Sequence, residues 1–208
     1  MARDLSKTYI YHITAIDNLP DIVAAGGLHS DAAMHAANAN PSVIGYSNIK
    51  QRRLTQTRVP CSGNRFVGQF VPFYYCPRSP MLYSINRGNT GLPVGSQKDI
   101  VHLVSTVQLA MNVGRDWAIS DGNAGSAYPN FYGNIEALDS LNWPLINDDN
   151  WAGRANGKQA EFLVADFFSW SAIIGVACHN DGATQAVNDV LSHSTHKPAV
   201  KTVRNWYY

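Results

Sequence analysis

The run Phe162-Leu163-Val164-Ala165-Asp166-Phe167-Phe168 does most to limit the folds open to this chain. It is apolar, aromatic at both ends and too short for a core helix, so it predicts a buried strand. Lys158-Gln159-Ala160-Glu161 leads into it. The fifteen acidic residues include only two glutamates, Glu136 and Glu161, and the second sits at the mouth of this strand. A lone glutamate there is either a solvated strand end or a carboxylate held rigidly for chemistry.

Other runs predict the sheet that this strand joins. Tyr9 to Thr14 alternates and is rich in β-formers. Gln69 to Cys76 is strand-like, with Pro72 arguing for an edge position or a bulge. Asp99–Val104, Ala172–Cys178 and Val200–Tyr208 complete the set. Thr14 reads as the cap of a helix over Ile16–Ala25 that stops at Gly26-Gly27. Ser105 reads as the cap of a short helix through Met111, Ile135–Leu141 as a helix, and Asp181–Leu191 as an amphipathic helix. Residues 30–48 read as a helical turn and a mobile loop. Residues 54–69, 115–134 and 142–157 read as irregular, and a loop as long as the second is usually functional or disordered. This order of elements predicts a single α+β domain over residues 1–208, with a mixed or antiparallel sheet.

Several chemistries are disfavoured. No apolar run approaches the roughly 20 residues of a membrane span. The N-terminal segment has no signal-peptide core, so a cytoplasmic location is expected. Cys61, Cys76 and Cys178 are odd in number and widely spaced, which suggests neither a disulfide framework nor a zinc cluster. The histidines form no HxxxH or HExxH pattern, so no metal is expected. No GxGxxG follows a predicted strand, which excludes the Rossmann mode of dinucleotide binding.

Charge is uneven along the chain. Between Ala32 and Lys98 there is no acid, while Lys50, Arg52, Arg53, Arg58, Arg65, Arg78, Arg87 and Lys98 give +8; with a net charge of +1, the remainder sums to −7. Aromatic residues are interleaved, among them Tyr46, Phe66, Tyr74 and Tyr75. Basic residues with stacking faces suit single-stranded nucleic acid. The plainer reading is a basic, soluble surface whose aromatics belong to the core. His12, at the end of the first strand, is likewise either a core histidine or a ligand contact.

Five blocks carry a resemblance. They are Tyr11-His12-Ile13-Thr14 with Gly26-Gly27-Leu28; Ile49-Lys50-Gln51-Arg52-Arg53; Val71-Pro72-Phe73-Tyr74-Tyr75 with Pro77-Arg78-Ser79-Pro80-Met81-Leu82; Lys158 to Leu163; and Trp206-Tyr207-Tyr208. In this order they resemble the DarT family, the toxin partners of DarT–DarG toxin–antitoxin pairs. The resemblance spans about Tyr9 to Tyr208.

It implies an ADP-ribosyltransferase fold that uses NAD+ as co-substrate and modifies a base of single-stranded DNA. Thymidine is the first choice of acceptor, with guanine, RNA or protein as alternatives. It also implies reversal by a macrodomain antitoxin of the DarG kind. Glu161 matches the catalytic glutamate and Arg53 the essential arginine. His12, Ile13 and Thr14 match an NAD-contacting segment, and Asp21 and His29 fall where further contacts are made. Residues 34–53 match an element folded over the NAD, and residues 121–161 a substrate-recognition loop. Tyr46, Arg52, Tyr75, Arg78 and Met81 are the residues expected near the DNA acceptor. Tyr128 falls where the thymine-modifying pattern has a histidine.

Overall fold

Strands distant in sequence meet in one sheet. The computed structural model describes residues 3–208. Among them the strands are β1 (Tyr9–Ala15), β2 (Gly27–His29), β3 (Arg58–Val59), β4 (Arg65–Phe66), β5 (Phe70–Tyr74), β6 (Ile100–Thr106), β7 (Trp117–Ser120), β8 (Phe131–Tyr132), β9 (Glu161–Ala165), β10 (Phe167–Ser169), β11 (Gly175–Cys178) and β12 (Ala199–Thr202). The helices are α1 (Leu19–Ala24), α2 (Asp31–Ala36), α3 (Ser47–Thr55), α4 (Pro80–Asn86), α5 (Val107–Asn112), α6 (Ala137–Ser140), α7 (Trp143–Asn147), α8 (Ala155–Lys158) and α9 (Asp181–Leu191). Eight strands form a sheet in the order β12-β11-β6-β1-β5-β9-β7-β8. Its pairs are antiparallel except β11–β12, so the sheet is mixed, one of the two forms the sequence predicted, and mostly antiparallel.

The apolar run after Glu161 folds as the alternation of a strand requires. Phe162 and Val164 enter the largest hydrophobic cluster with Val71, Phe73, Leu103 and Val176. Leu163 and Ala165 point the other way, to a cluster with Phe70, Val59, Val67 and Ala118. Burial on both faces is why the run is continuously apolar. The run is two strands rather than one. Asp166 adopts a left-handed φ of 63°, and β10 then leaves the main sheet to pair with β2.

Some expected boundaries moved for local reasons. Thr14 stays in β1, and its hydroxyl accepts from Asn18 Nδ2, so the helix begins later, with Pro20 in its first turn. Thr106 rather than Ser105 caps α5, accepting from the Leu109 N–H at 3.2 Å. Ser105 is buried and donates to the Ala172 carbonyl. The irregular segments are more ordered than their composition suggests. Residues 115–134 contain β7 and β8, residues 54–69 contain β3 and β4, and residues 142–157 contain α7 and most of α8. These elements are two to five residues long, below the reach of periodicity.

The aromatic tail closes the sheet as a 3-10 turn, Arg204–Trp206, and Tyr207 lies over His102 of β6. His102 is fully buried. Its Nε2 donates to the Pro77 carbonyl at 2.9 Å, and its Nδ1 lies 3.2 Å from the Tyr207 hydroxyl. Burial lowers its pKa from 6.5 to about 4. The folded state therefore resists a proton that the unfolded chain accepts. The stability this confers is complete above the unfolded pKa of 6.5 and is lost as pH falls through about 4. Over that window the loss from this residue is about 3 kcal/mol. We expect a His102→Gln variant, compared with wild type by urea unfolding at pH 7 and pH 4, to lose that much less across the interval. Parallel pH profiles would exclude His102 as the cause.

Candidate active site

The site begins with a proline. β1 and β5 are neighbours, yet they pair only at Tyr11 and Tyr74. Residues of an extended strand send N–H and C=O to the same side. The Pro72 carbonyl accepts from His12 Nδ1 on β1 at 2.8 Å, so the donor that proline lacks also faces β1. The His12 side chain thus stands where a backbone bond would, and the strands diverge beyond it. Pro72 is on an interior strand, not the edge its type suggested, because β5 keeps its full ladder with β9 on the other side.

A cavity of about 620 Å³ opens in this split. Its wall includes His12, Ile13 and Thr14 of β1, Asp21 of α1, His29, and Pro72 and Tyr74 of β5. A strap formed by residues 30–53 crosses it and contributes Tyr46, Ile49, Lys50 and Arg53, while Met81 comes from α4. The strap is tied to the body through Asn18, which exchanges hydrogen bonds of 3.0 and 2.8 Å with Ser42, and is closed on itself by Lys50, 3.0 Å from Asp31. The segment expected to be a mobile loop is therefore pinned to the body.

Glu161 opens β9 at the cavity's edge and is 1% exposed. Arg53, in the last turn of α3, spans both carboxylate oxygens with one nitrogen, Nη1 lying 3.1 Å from Oε1 and 3.0 Å from Oε2. The Ala124 N–H also donates to Oε1, at 2.9 Å. On β7, Ser120 Oγ accepts from the Glu161 N–H and donates to the Gly122 carbonyl. Burial works against the Arg53 charge, but Glu161 and Tyr74 outweigh it and raise its pKa. Burial lowers the pKa of His12, against the pull of the Pro72 carbonyl, so the ring is neutral at pH 7. Burial and then the Glu161 charge raise that of the Tyr74 phenol.

Of the residues singled out in the sequence, His12, Ile13, Thr14, Asp21, His29, Arg53, Tyr46 and Met81 converge on this cavity. Glu161 adjoins it behind Arg53. Arg52 and Tyr128 meet elsewhere, along an open groove with Arg58 and Phe131. Tyr128 is 94% exposed at its loop tip, and Arg52 donates to the Gly125 carbonyl at 3.2 Å. Two expectations need correction. Tyr75 is 4% exposed and stands against Trp143 in the main core, so it offers no stacking face to DNA. Arg78 is engaged with Asp149 at 2.8 Å and lies over the Tyr208 ring, outside both the cavity wall and the groove.

The basic segment is likewise not a bare patch. Lys50, Arg53, Arg65 and Arg78 are paired with acids from outside it. Asn123, Gln159, Tyr74 and Lys50 line the cavity but were not among the expected site residues. Strand alternation held the signal for Tyr74. Val71, Phe73 and Tyr75 share the core face of β5, which leaves Pro72 and Tyr74 on the other.

A split mixed sheet over a nucleotide-sized cavity, with a buried carboxylate–arginine pair beside it, is the arrangement expected of an ADP-ribosyltransferase. The chain belongs to the DarT family: the model described as ssDNA thymidine ADP-ribosyltransferase, DarT, matches residues 11–208. It is 36% identical over 203 residues to a DNA ADP-ribosyl transferase of Thermus aquaticus, covering 97% of this chain and 89% of that one. Its fold is similar to that of Thermus sp. 2.9 DarT in complex with ADP-ribosylated ssDNA, with a TM-score of 0.90, 34% identity and full coverage of both chains. The NAD+ complex of the same protein gives a TM-score of 0.84 at 31% identity, again over both whole chains. A fusion protein of Thermosipho africanus, DNA ADP-ribosyl transferase joined to DNA ADP-ribosyl glycohydrolase, is 27% identical over 154 residues, which are 74% of this chain and 37% of the fusion.

The ion pair sets a stability expectation. Arg53→Ala leaves a buried carboxylate without its cation, which costs about 3–5 kcal/mol in urea unfolding. Arg53→Ala combined with Glu161→Gln should recover part of that loss. No recovery would mean that α3 docking, not charge pairing, sets the cost.

Proposed function

We propose that this chain transfers ADP-ribose from NAD+ to thymidine in single-stranded DNA and releases nicotinamide, with Glu161 as catalytic carboxylate and Arg53 as its partner. The observation that carries this reading is the Glu161–Arg53 pair, fixed at the edge of a cavity in the split sheet. At about 620 Å³ the cavity falls within the roughly 300–1,000 Å³ usual for cofactor sites. A buried guanidinium nitrogen, Arg53 Nη2, has no hydrogen-bond partner among the described residues, as suits an arginine kept for an anion or a carbonyl.

NAD+ supplies an ADP-ribosyl group whose bond to nicotinamide breaks with positive charge building on the ribose, as in glycoside cleavage. Glu161 stabilises that charge. Its Oε1 already takes donors from Arg53 and Ala124, while Oε2 takes only Arg53, so Oε2 has a lone pair to spare. The strand beneath keeps the carboxylate from relaxing. His12, neutral at pH 7, adds no second cation near a positively charged pyridinium. The acceptor base must lose a proton. An arginine is not a base, so Glu161 takes the proton while Arg53 polarises the base.

In this reading residues 34–53 cover the NAD and residues 121–161 read the DNA, with Tyr128 and Arg52 along its path. Arg58, in the same groove, lies over Phe66 and has no acid partner among the described residues. A DarG-like macrodomain antitoxin is the expected partner, since the Thermosipho africanus relative joins the two activities in one chain. A cytoplasmic location belongs to the same reading, and the use of NAD+ and DNA as substrates supports it.

Intact mass spectrometry of single-stranded oligonucleotides incubated with NAD+ tests the reading. A gain of one ADP-ribose on thymine-containing DNA is expected. A gain on guanine alone would overturn the acceptor, and a gain on RNA alone would overturn the substrate class. Glu161→Gln should lower transfer by at least about a hundred-fold while NAD+ binding stays within a few-fold. Loss of NAD+ binding in that variant would make the residue structural. Affinity for DNA should also fall steeply with salt, and a flat salt profile would remove the groove from the interface.

A further inference from the structure

The turn after β7 is joined to Glu161 by its backbone, and one side chain holds that turn in shape. Asn123 Oδ1 accepts from the Gly125 N–H at 2.8 Å, and Asn123 Nδ2 donates to Gln159 Oε1 at 3.0 Å. The Asn123 N–H itself donates to Asn156 Oδ1 at 3.2 Å. Between the two fixed points lies Ala124, whose N–H meets Glu161 Oε1 at 2.9 Å. The turn is also pressed on α3. A Cβ on Gly125 would lie 2.8 Å from Ile49 Cγ2 and 3.1 Å from Arg53 Cγ. Asn123 and Gln159 both line the cavity.

We propose that Asn123 is a positioning residue: by closing the Asn123–Gly125 turn and tying it to Gln159, it aims the Ala124 N–H at Glu161 Oε1 and so leaves Oε2 as the oxygen that acts. A side-chain oxygen that accepts from the amide two residues on is the usual way asparagine fixes a tight turn. The effect on Glu161 follows from counting acceptor sites. If the turn relaxes, Oε1 loses its amide and Arg53 alone no longer distinguishes the two oxygens, since its Nη1 lies within 0.1 Å of the same distance from both (3.1 and 3.0 Å). The carboxylate can then rotate, and a reacting group displaced by a fraction of an ångström loses much of its effect. Because the turn opens the segment leading to Tyr128, DNA seated on that segment would act on the carboxylate through the same amide. The inference rests on the reading of Glu161 as the catalytic carboxylate.

The test compares Asn123→Ala with Asn123→Ser, which keeps a hydroxyl able to accept from the amide two residues on. Two readouts are taken: steady-state transfer, and amide hydrogen exchange of residues 121–126 in protein without NAD+ or DNA. Asn123→Ala should lower kcat by roughly ten- to a hundred-fold with the KM for NAD+ within about two-fold, and should speed exchange in the turn. Asn123→Ser should recover most of both. A kcat within about two-fold of wild type for Asn123→Ala, or an Asn123→Ser no better than alanine, would overturn the proposal. Unchanged exchange would overturn it whatever the activity, whereas a wild-type protein that transfers nothing would overturn the proposed function instead. Should Asn123→Ala not fold, Gln159→Ala applies the same test, because it removes the partner of the Asn123 amide together with only one other bond, from Gln159 Nε2 to the Ala155 carbonyl at 3.2 Å.

Discussion

The missing N–H of Pro72 is the constraint on which the site depends. A continuous ladder between β1 and β5 would close the sheet where the cavity now opens. Proline removes one donor on that side, and the His12 side chain takes up the carbonyl left over. The ladder of β5 with β9 on the other side is intact from Phe70 to Tyr74. The sheet therefore parts along one seam without coming apart, and the seam runs beside the strand that carries Glu161.

A second constraint is electrostatic. Glu161 at 1% exposure is costly as an anion unless each oxygen has a donor. Arg53 and the Ala124 amide supply them, from α3 on one side and the β7 turn on the other. The carboxylate thus ties three parts of the chain together, and two of them are the segments assigned to the two substrates. Buried ion pairs are weak stabilisers by themselves. Here the pair's value is positional, since it keeps a charge at the mouth of a rigid strand.

The sequence made the main elements legible wherever a run was long or strongly patterned. β1, β6, β9 and α9 lie close to their expected places because alternation and amphipathy persist over several residues. β7 and β8 were hidden in Gly- and Asn-rich surroundings, and β7 takes its strand form from pairing with β9 and β8. The site divided in the same way. Arg53, His12 and Glu161 were expected through blocks in a recognisable order, and the structure brings Arg53 against Glu161 and His12 to the cavity wall. Tyr75 was misjudged because an aromatic residue in a basic region was read without its strand face, which is shared with Phe73. Asn123 gave no signal, because its role passes through backbone amides that no composition reveals.

The sheet's connectivity has a consequence for when activity can arise. Arg53 and Glu161 are separated by 108 positions, and Glu161 pairs with β5 and β7 only after nearly four-fifths of the chain exists. β1 must wait as long for a complete environment, since its partner β6 borders β11 and the tail residue Tyr207 covers His102. Contacts so far apart in sequence form late and together. On the ribosome, a nascent chain would carry β1, with its cavity-lining residues, well before the carboxylate is made. The pair proposed for catalysis can therefore assemble only once β9 has joined β5 and β7.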